Sequence, residues 1–404
     1  MSTVMSTVNA SNPAAAPAIL HQAGRVVAGA GCLQRLPELL AGWRPRHLLL
    51  VVGRHVAADS PLSALIPALE AAGTRVSLLP PVPPEPLESD VDGLLAAAQS
   101  AAEAASQPID FVAGIGGGSA IDVAKVLAVL LAHPVSLRAL LSGTPVPGRG
   151  LPTAMVPTTA GTGAEATPNS IILVPQDALK IGIVSPHLLP DLVLLDPLLT
   201  LSLPAEVTAH TGIDALCHAI ECVTSKKGNT FSTLYGLEAI RLIGRSIRRA
   251  FANGQDVDAR QDMLLGSYYG GVCIATSSTT AVHALAYPLG GRFRVPHGLS
   301  NAMLLPTVMA YNRVGNEAAF AAMAAALGLP VQGQSDADAA DAFVAALRQL
   351  NADLGITTRL RDLGVVEADL DALVAGAAKV TRLLDNNPRP MDHAAMRAIY
   401  ADVL

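Results

Sequence analysis

The stretch IDFVAGIGGGSAIDVAKVLAVLLA, at residues 109–132, decides the fold of this chain. It begins as a short apolar run ending in glycines, as buried parallel strands do, and continues with the apolar spacing of a helix. Comparable apolar runs predict further strands at residues 47–53, 75–80, 153–157, 170–174, 181–184 and 192–196. Because strand-like and helix-like segments alternate, this half is expected to form βαβ units with a parallel sheet.

The second half of the chain has a different pattern, in which strand signals nearly vanish. It predicts successive helices at residues 207–224, 230–253, 258–286, 315–327, 337–352, 367–378 and 391–403. We therefore predict a Rossmann-like α/β domain at residues 19–200, followed by an all-α domain at residues 201–404. The remaining residues, 1–18, are predicted to be a disordered tail.

The composition excludes several classes of protein. Of the 404 residues, 51% are hydrophobic and 15% are charged, which rules out a disordered chain. The net charge is −6 and no block of like charge occurs, so we expect no nucleic-acid partner and no anionic-membrane partner. The stretch between Asp262 and Arg292 is uncharged, but its Ser, Thr, His and Pro residues favour a buried helix over a membrane span.

Two further features of the sequence bear on the compartment. The first residues, MSTVMSTVNASNPAAAPA, have neither a basic start nor a continuous apolar segment, so we expect no export. The 4 cysteines are too few and too scattered for a disulfide framework. Both features favour a reducing, cytoplasmic location.

The glycine-rich turn after the central strand is a candidate anion site. Gly117 and Gly118 let the backbone approach a phosphate, and the first N–H groups of the following helix would point at it. Ser119 adds a hydroxyl donor. The pattern is neither GxGxxG nor a P-loop, so a tight strand-to-helix turn remains the alternative. Asp122 is a further candidate residue of this site, and the alternative is that it is simply an acid in the first turn of that helix, where the helix dipole favours it.

Four side chains in the helical half form a candidate metal site. Asp214 and His218 are one helical turn apart and therefore project from the same face. Further along the chain, His283 lies in a predicted helix and His297 follows a turn. One carboxylate and three imidazoles suit divalent iron or zinc. A polar stripe or an ordinary Asp–His pair is the alternative for the first two residues.

Four blocks of this sequence resemble the iron-containing (group III) alcohol dehydrogenase family. They are GIGGGSAIDVAK at 114–125, PTTAGTGAEAT at 157–167, TGIDALCHAIE at 211–221 and VHALAYPLGGRFRVPHGLSNAMLLP at 282–306. Their order and spacing fit the family, and the resemblance spans roughly residues 18–404. It implies an N-terminal dinucleotide-binding α/β domain and an all-α, metal-binding C-terminal domain.

The resemblance also implies roles for individual residues. The cofactor diphosphate would be held by Gly117, Gly118 and Ser119. The diphosphate and the nicotinamide ribose would be contacted by Thr158, Thr159 and Thr162, with Thr167 nearby. Lys180 would reach the ribose. The metal ligands would be Asp214, His218, His283 and His297.

The sequence departs from the family pattern at two positions. Family members that prefer NAD often carry an acid after the first strand of this sheet, where Gly53 and Arg54 stand here. Without that acid a 2′-phosphate is not repelled, and Arg54 could pair with it, so we expect NADP, with NAD as the alternative. The second departure is Tyr287, which replaces a histidine facing the substrate. A phenol there could donate to a carbonyl oxygen, or it could simply pack.

The resemblance predicts a reversible NAD(P)-linked alcohol dehydrogenase or aldehyde reductase that uses Fe2+, with Zn2+ as the alternative, and forms a homodimer or a larger homo-oligomer. The enzymatic alternative is a hydroxyacid–oxoacid transhydrogenase that retains its cofactor. Metal-free maleylacetate reductases are disfavoured by the Asp214 and His218 pair. A catalytically silent nucleotide-binding protein is the alternative from another class. If any of three arginines, Arg292, Arg294 and Arg389, faces the substrate, a carboxylate- or phosphonate-bearing aldehyde would suit the site. Positions at the surface or at a domain interface are the favoured alternative for these arginines.

Overall fold

The computed structural model describes residues 17–56, 62–174 and 179–404, apart from the side chains of residues 179–180. It has two compact units, one spanning His21–Ser202 and the other containing Leu203–Leu404. The predicted tail lies almost entirely outside the described residues.

The first unit is built on a six-stranded parallel sheet. Its strands are β1 (Arg25–Ala28), β2 (His47–Val52), β3 (Arg75–Leu78), β4 (Phe111–Gly116), β5 (Thr153–Pro157) and β8 (Leu192–Leu195). Their order is β1-β8-β5-β4-β2-β3, and every neighbouring pair is parallel. The predicted parallel sheet is therefore confirmed. Two of the predicted strands, β6 (Asn169–Val174) and β7 (Leu179–Val184), instead form a separate antiparallel pair.

The strand order reverses beside β2. From β2 the chain passes outward to β3 and then crosses back to β4, on the other side of β2. In open parallel sheets, ligands bind beyond the carboxyl ends of the strands at such a reversal. The turns that begin at Gly53 and Gly117 leave the sheet at this edge.

Helices cover both faces of the sheet, which explains why the strands read as continuous apolar runs. The helices are α1 (Leu36–Leu39), α2 (Leu62–Ala71), α3 (Glu88–Ala105), α4 (Gly118–Ala132) and α5 (Leu137–Leu141). Successive side chains of β2 point to opposite faces. Leu49 and Val51 join the core that contains α3 and α4, whereas Leu48 and Leu50 join the core that contains α1 and α2.

The second unit is helical, as predicted. Its helices are α6 (Ala205–Thr224), α7 (Thr230–Ala252), α8 (Val257–Thr276), α9 (Ala281–Phe293), α10 (His297–Asn312), α11 (Glu317–Ala326), α12 (Asp336–Asp353), α13 (Leu370–Ala378), α14 (Thr381–Leu384) and α15 (His393–Asp402).

The prediction of one helix over residues 258–286 is wrong, because the chain breaks between α8 and α9. The break consists of hydroxyl residues, and the side chains of its first and last residues bond to other parts of the unit. Ser277 donates to the backbone oxygen of Cys222 at 3.2 Å, and Thr280 donates to the carboxylate of Glu221 at 2.8 Å. His283 therefore lies in the first turn of a new helix. Among the described residues, no helix combines the length and the apolar character that crossing a membrane requires.

Candidate metal and cofactor sites

The four predicted metal ligands converge within the helical unit. Helix α6 carries Asp214 and His218, α9 carries His283, and α10 begins at His297. One oxygen of Asp214, Oδ1, lies 3.7 Å from an Nε2 atom on each of three imidazoles, those of His218, His283 and His297. Residues as far as 83 positions from Asp214 in sequence thus surround its carboxylate oxygen.

The spacing of these atoms fits a metal ion. Metal–ligand bonds of about 2.1 Å separate neighbouring ligand atoms of a tetrahedral site by about 3.4 Å. The ligand atoms of Asp214, His283 and His297 all lie within 4.8 Å of one another. His218 is not a member of this compact set, although its Nε2 is equally close to Asp214. The donor set therefore has a tight core of three residues and a fourth residue beside it.

Close packing of α10 against α6 brings His297 to the site. Arg294 ends α9 in the left-handed conformation, with a φ of 55°, and Pro296 precedes the new helix. Gly298, which follows His297, lies against α6 so closely that an added Cβ would be 2.5 Å from the backbone oxygen of His210. A larger residue at this position would push His297 away from α6.

Glu221 was not predicted from the sequence, and it contacts His283 on the side of the ring that faces away from Asp214. Its side chain is fully buried on α6, and its Oε2 is hydrogen bonded to Nδ1 of His283. Its Oε1 accepts from Thr280 Oγ1 at 2.8 Å and from the Val282 N–H at 2.7 Å. Glu221 lies seven residues, or two helical turns, after Asp214, so its helical spacing was an available signal.

Asn301 is a second missed residue. Its fully buried amide nitrogen lies 2.6 Å from Asp214 Oδ1, 3.2 Å from His283 Nε2 and 3.3 Å from His297 Nε2. Within the described residues its Oδ1 has no hydrogen-bond partner. The amide nitrogen can only donate, so a hydrogen bond from it to either imidazole requires a lone pair on that Nε2, which binding a cation at Nε2 also requires.

Charge complementarity governs the ionisation of the cluster. Burial alone would raise the pKa of Asp214, but His218, His297 and His283 together outweigh burial and hold this pKa below its usual range. Burial would likewise raise the pKa of Glu221, yet His283 outweighs it and lowers that pKa. For His283, burial opposes the charged form, and the Glu221 carboxylate reverses this effect and raises the pKa.

Tyr287 lies one turn after His283 on α9, and its ring centroid is 6.2 Å from that of His297. Burial raises the pKa of Tyr287 above its ordinary value. The phenol is therefore neutral at physiological pH and can donate a proton in a hydrogen bond, but it cannot serve as a base.

Two segments with predicted cofactor residues come together at the carboxyl edge of the sheet. They are the glycine turn at residues 116–118 and the loop at residues 158–167, here called the Thr-rich loop. A Cβ added at Gly118 would lie 2.8 Å from Thr162 Oγ1, and one added at Gly117 would lie 3.5 Å from the Thr159 side chain. The Thr158 N–H donates to the Gly116 oxygen at 2.9 Å. The N-terminus of α4 and the Thr-rich loop thus form one surface.

Beneath that surface, Lys125 ties the Thr-rich loop to α4. Its buried ammonium donates to the backbone oxygens of Ala164 at 2.9 Å and Thr167 at 3.1 Å, and it also bonds that of Asn169. Asp122 lies 3.5 Å from the same ammonium and accepts from the Ile171 N–H at 3.1 Å. The Asp122 carboxylate therefore bonds to groups beneath the surface that α4 and the Thr-rich loop form.

Three of the remaining predicted cofactor residues, Gly53, Arg54 and Ser119, follow the carboxyl ends of β2 and β4. Ser119 Oγ accepts from the Glu85 N–H at 3.2 Å. Gly53 forms an isolated parallel β-bridge with Val82, and the residue after Gly53, Arg54, is exposed. Lys180 belongs to β7, and its side chain lies outside the described part of the chain.

Two of the three arginines considered as candidates to face substrate have partners within the helical unit. Arg292 pairs with Asp369 at 3.3 Å. Arg389 stacks over the ring of Tyr311, 4.0 Å from its centroid, and donates to the Tyr311 oxygen at 3.0 Å. Arg294 is exposed at the end of α9.

Comparison with known proteins identifies the family. Residues 23–197 match "Iron-containing alcohol dehydrogenase", and residues 208–404 match "Fe-containing alcohol dehydrogenase family, C-terminal". The chain is 38% identical over 375 residues to long-chain-alcohol dehydrogenase 1 of Geobacillus thermodenitrificans, covering 92% of this chain and 93% of that protein. It is 35% identical over 366 residues to 1,3-propanediol dehydrogenase of Klebsiella pneumoniae, covering 90% and 92%.

A solved structure agrees with these sequence matches. The crystal structure of a 1,3-propanediol oxidoreductase superposes with a TM-score of 0.90 at 32% identity, covering 96% of this chain and 100% of that chain. These similarities place the chain among the alcohol dehydrogenases. It belongs to the iron-containing alcohol dehydrogenase family and is an iron-type enzyme of NAD(P)-linked alcohol and aldehyde oxidoreduction, which confirms the resemblance seen in the sequence.

Proposed function

We propose that this enzyme interconverts a small alcohol and its aldehyde or ketone with NADP(H) as preferred cofactor. In this proposal divalent iron is held by Asp214, His218, His283 and His297. The observation that carries the proposal is the convergence of three imidazole nitrogens at 3.7 Å from one buried carboxylate oxygen. One oxygen and three nitrogens suit divalent iron, and zinc is the alternative.

A divalent ion in this site supplies Lewis-acid chemistry toward the substrate oxygen. Asp214 provides the negative charge of the donor set, and its lowered pKa keeps it ionised at neutral pH. Tyr287 donates a hydrogen bond from its neutral phenol to the substrate oxygen. The support for this role is its position one turn from His283 and its raised pKa.

The cofactor diphosphate binds, in this proposal, at the N-terminus of α4. Gly117, Gly118 and Ser119 supply backbone and hydroxyl donors there, and the helix dipole favours the negative charge. The adjoining loop contributes Thr158, Thr159 and Thr162. Asp122 and Thr167 act indirectly, through their bonds to Lys125. The role of Lys180 at the ribose stays a prediction.

Arg54 is the basis for preferring NADP. It is exposed directly after β2, at the edge where the strand order reverses, and no acid occurs among residues 53–56. A guanidinium at this position can pair with a 2′-phosphate through two hydrogen bonds.

The proposal is tested by assaying an aldehyde panel with NADPH and with NADH, in metal-free protein and after addition of Fe2+ or Zn2+. We expect activity to require the metal and to favour NADPH. His297→Ala should lose bound iron, whereas His393→Ala, at an exposed position at the start of α15, should keep it. Full activity of metal-free protein would contradict the metal assignment. Hydride exchange between two organic substrates, without turnover of free cofactor, would favour the transhydrogenase.

We further propose that the enzyme works in the cytoplasm as a homodimer or larger homo-oligomer. The 4 cysteines are free thiols, and all are buried, as suits a reducing compartment. Light scattering of the purified protein measures the assembly, and a monomer at micromolar concentration would contradict it.

A further inference from the structure

We infer that Glu221 is a positioning residue that fixes the tautomer and the ring orientation of His283 and thereby sets the affinity of the metal site. This inference rests on the proposed metal ligands. Glu221 itself does not reach the substrate side of the cluster: its carboxylate contacts Nδ1 of His283, whereas Nε2 of the same ring faces Asp214.

The surroundings of Glu221 hold its carboxylate in one orientation. Thr280 Oγ1 and the Val282 N–H both donate to Oε1, at 2.8 Å and 2.7 Å. This leaves Oε2 facing His283 Nδ1. The Cys217 thiol donates to the same Oε2, with its sulfur 3.8 Å from that oxygen. Both carboxylate oxygens therefore accept hydrogen bonds, and the fully buried side chain cannot turn toward water.

The hydrogen bonds on the two sides of the His283 ring agree on its tautomer. A carboxylate oxygen at Nδ1 requires a proton on that nitrogen. On the other side, the Asn301 amide nitrogen lies 3.2 Å from Nε2 and can donate to it. A proton on Nδ1 and a lone pair on Nε2 are what a metal ligand needs at Nε2.

Replacing Glu221 by glutamine tests this arrangement with almost no change in volume. Glutamine has one acceptor oxygen, whereas Glu221 accepts from Thr280, Val282 and His283. If the oxygen stays with the two donors at Oε1, the amide N–H groups face His283 Nδ1. That nitrogen must then become the acceptor, and the proton moves to Nε2, where it blocks the metal.

We therefore expect Glu221→Gln to bind Fe2+ or Zn2+ about 10- to 100-fold more weakly than the wild type in a chelator competition assay. In metal-free protein, the ¹⁵N resonances of the His283 imidazole should move from the Nδ1–H pattern to the Nε2–H pattern. The His283→Asn variant assigns those resonances.

Two control variants separate positioning from general stability. Thr280→Val removes one donor to Oε1 but leaves the contact between Oε2 and His283, and Cys217→Ser keeps a small donor near Oε2. We expect both variants to bind the metal within about threefold of the wild type, even where the melting temperature of the metal-free protein falls.

The outcomes distinguish this inference from the proposed metal site. Wild-type protein that binds no metal would overturn the proposed ligands. Wild-type and Glu221→Gln proteins that bind the metal equally, with unchanged His283 resonances, would overturn the role of Glu221 alone. Equal losses in Glu221→Gln and Thr280→Val would assign Glu221 a structural role and also overturn the inference.

Discussion

Gly118, at the start of α4, and Thr162, in the Thr-rich loop, pack so closely that a Cβ at Gly118 would lie 2.8 Å from the Thr162 hydroxyl oxygen. That oxygen also accepts from the Ala164 N–H at 3.3 Å. The N-terminus of α4 and the Thr-rich loop therefore depend on each other for their positions.

Gly118→Ala should weaken cofactor binding, because Thr162 must move to admit the methyl group. A hydrogen bond from Thr162 to the charged diphosphate is worth about 1.5–3 kcal/mol, so its loss corresponds to a rise of about 10-fold or more in the KM for cofactor. Gly93→Ala is the matched control, since Gly93 is exposed on α3 with no atom near an added Cβ. If both alanine variants keep the wild-type KM, the two segments are not coupled.

Lys125→Met should destabilise the first unit. The change leaves Asp122 buried without its ammonium partner and removes the donor to the Ala164 and Thr167 oxygens. Breaking a buried pair in this way costs about 3–5 kcal/mol. Urea unfolding should show the loss, and adding Asp122→Asn should restore part of it by removing the unpaired charge. Equal midpoints for the single and the double variant would contradict this account.

Glu165 should make stability depend on pH. Burial raises the pKa of this carboxyl from an ordinary 4.5 to about 7. The folded state therefore retains a proton that the unfolded chain loses, and the free energy of unfolding falls as pH rises from about 4.5 through 7. Glu165→Gln removes this slope and should gain up to about 3 kcal/mol relative to the wild type at pH 8.

The measurement is urea unfolding from pH 5 to pH 8. Glu103→Gln, on the exposed face of α3, should follow the wild-type curve. A constant difference between Glu165→Gln and the wild type across this range would show that Glu165 has the same pKa in the folded and unfolded states.

Tyr287→Phe should lower kcat with little change in iron content. A neutral hydrogen bond contributes about 1 kcal/mol, which corresponds to a loss of about fivefold. The phenylalanine ring keeps the packing 6.2 Å from His297. Unchanged kcat would mean that Tyr287 only packs against the site.

Local patterns predicted most of the fold. The glycine-terminated run before α4 identified a buried strand, and the spacing of Asp214 and His218 identified one helical face. These features depend on residues a few positions apart, which sequence periodicity reports directly. The antiparallel pairing of β6 with β7 could not be inferred, because strand pairing depends on contacts between distant residues.

The parts of the site that sequence reasoning missed also depend on long-range packing. The break before α9 contains neither Gly nor Pro, and two of its hydroxyls bond to residues more than 50 positions away, Ser277 to Cys222 and Thr280 to Glu221. Asn301 reaches Asp214 because α10 packs on α6. Only Glu221 left a local signal, its two-turn spacing from Asp214.

Arg54→Ala should change cofactor preference more than it changes catalysis. Arg54 follows the carboxyl end of β2, where a 2′-phosphate would lie next to the ribose, and its loss removes up to two charge-assisted hydrogen bonds. We expect kcat/KM for NADPH to fall by about 10-fold or more, at about 1.5–3 kcal/mol per bond to a charged group, with kcat/KM for NADH nearly unchanged. Arg75→Ala is the matched control, because Arg75 is also exposed but lies at the start of β3, near the amino ends of the strands and away from the cofactor edge. A wild-type enzyme that strongly prefers NADH, or an Arg54→Ala variant that loses both activities equally, would contradict the pairing of Arg54 with a 2′-phosphate.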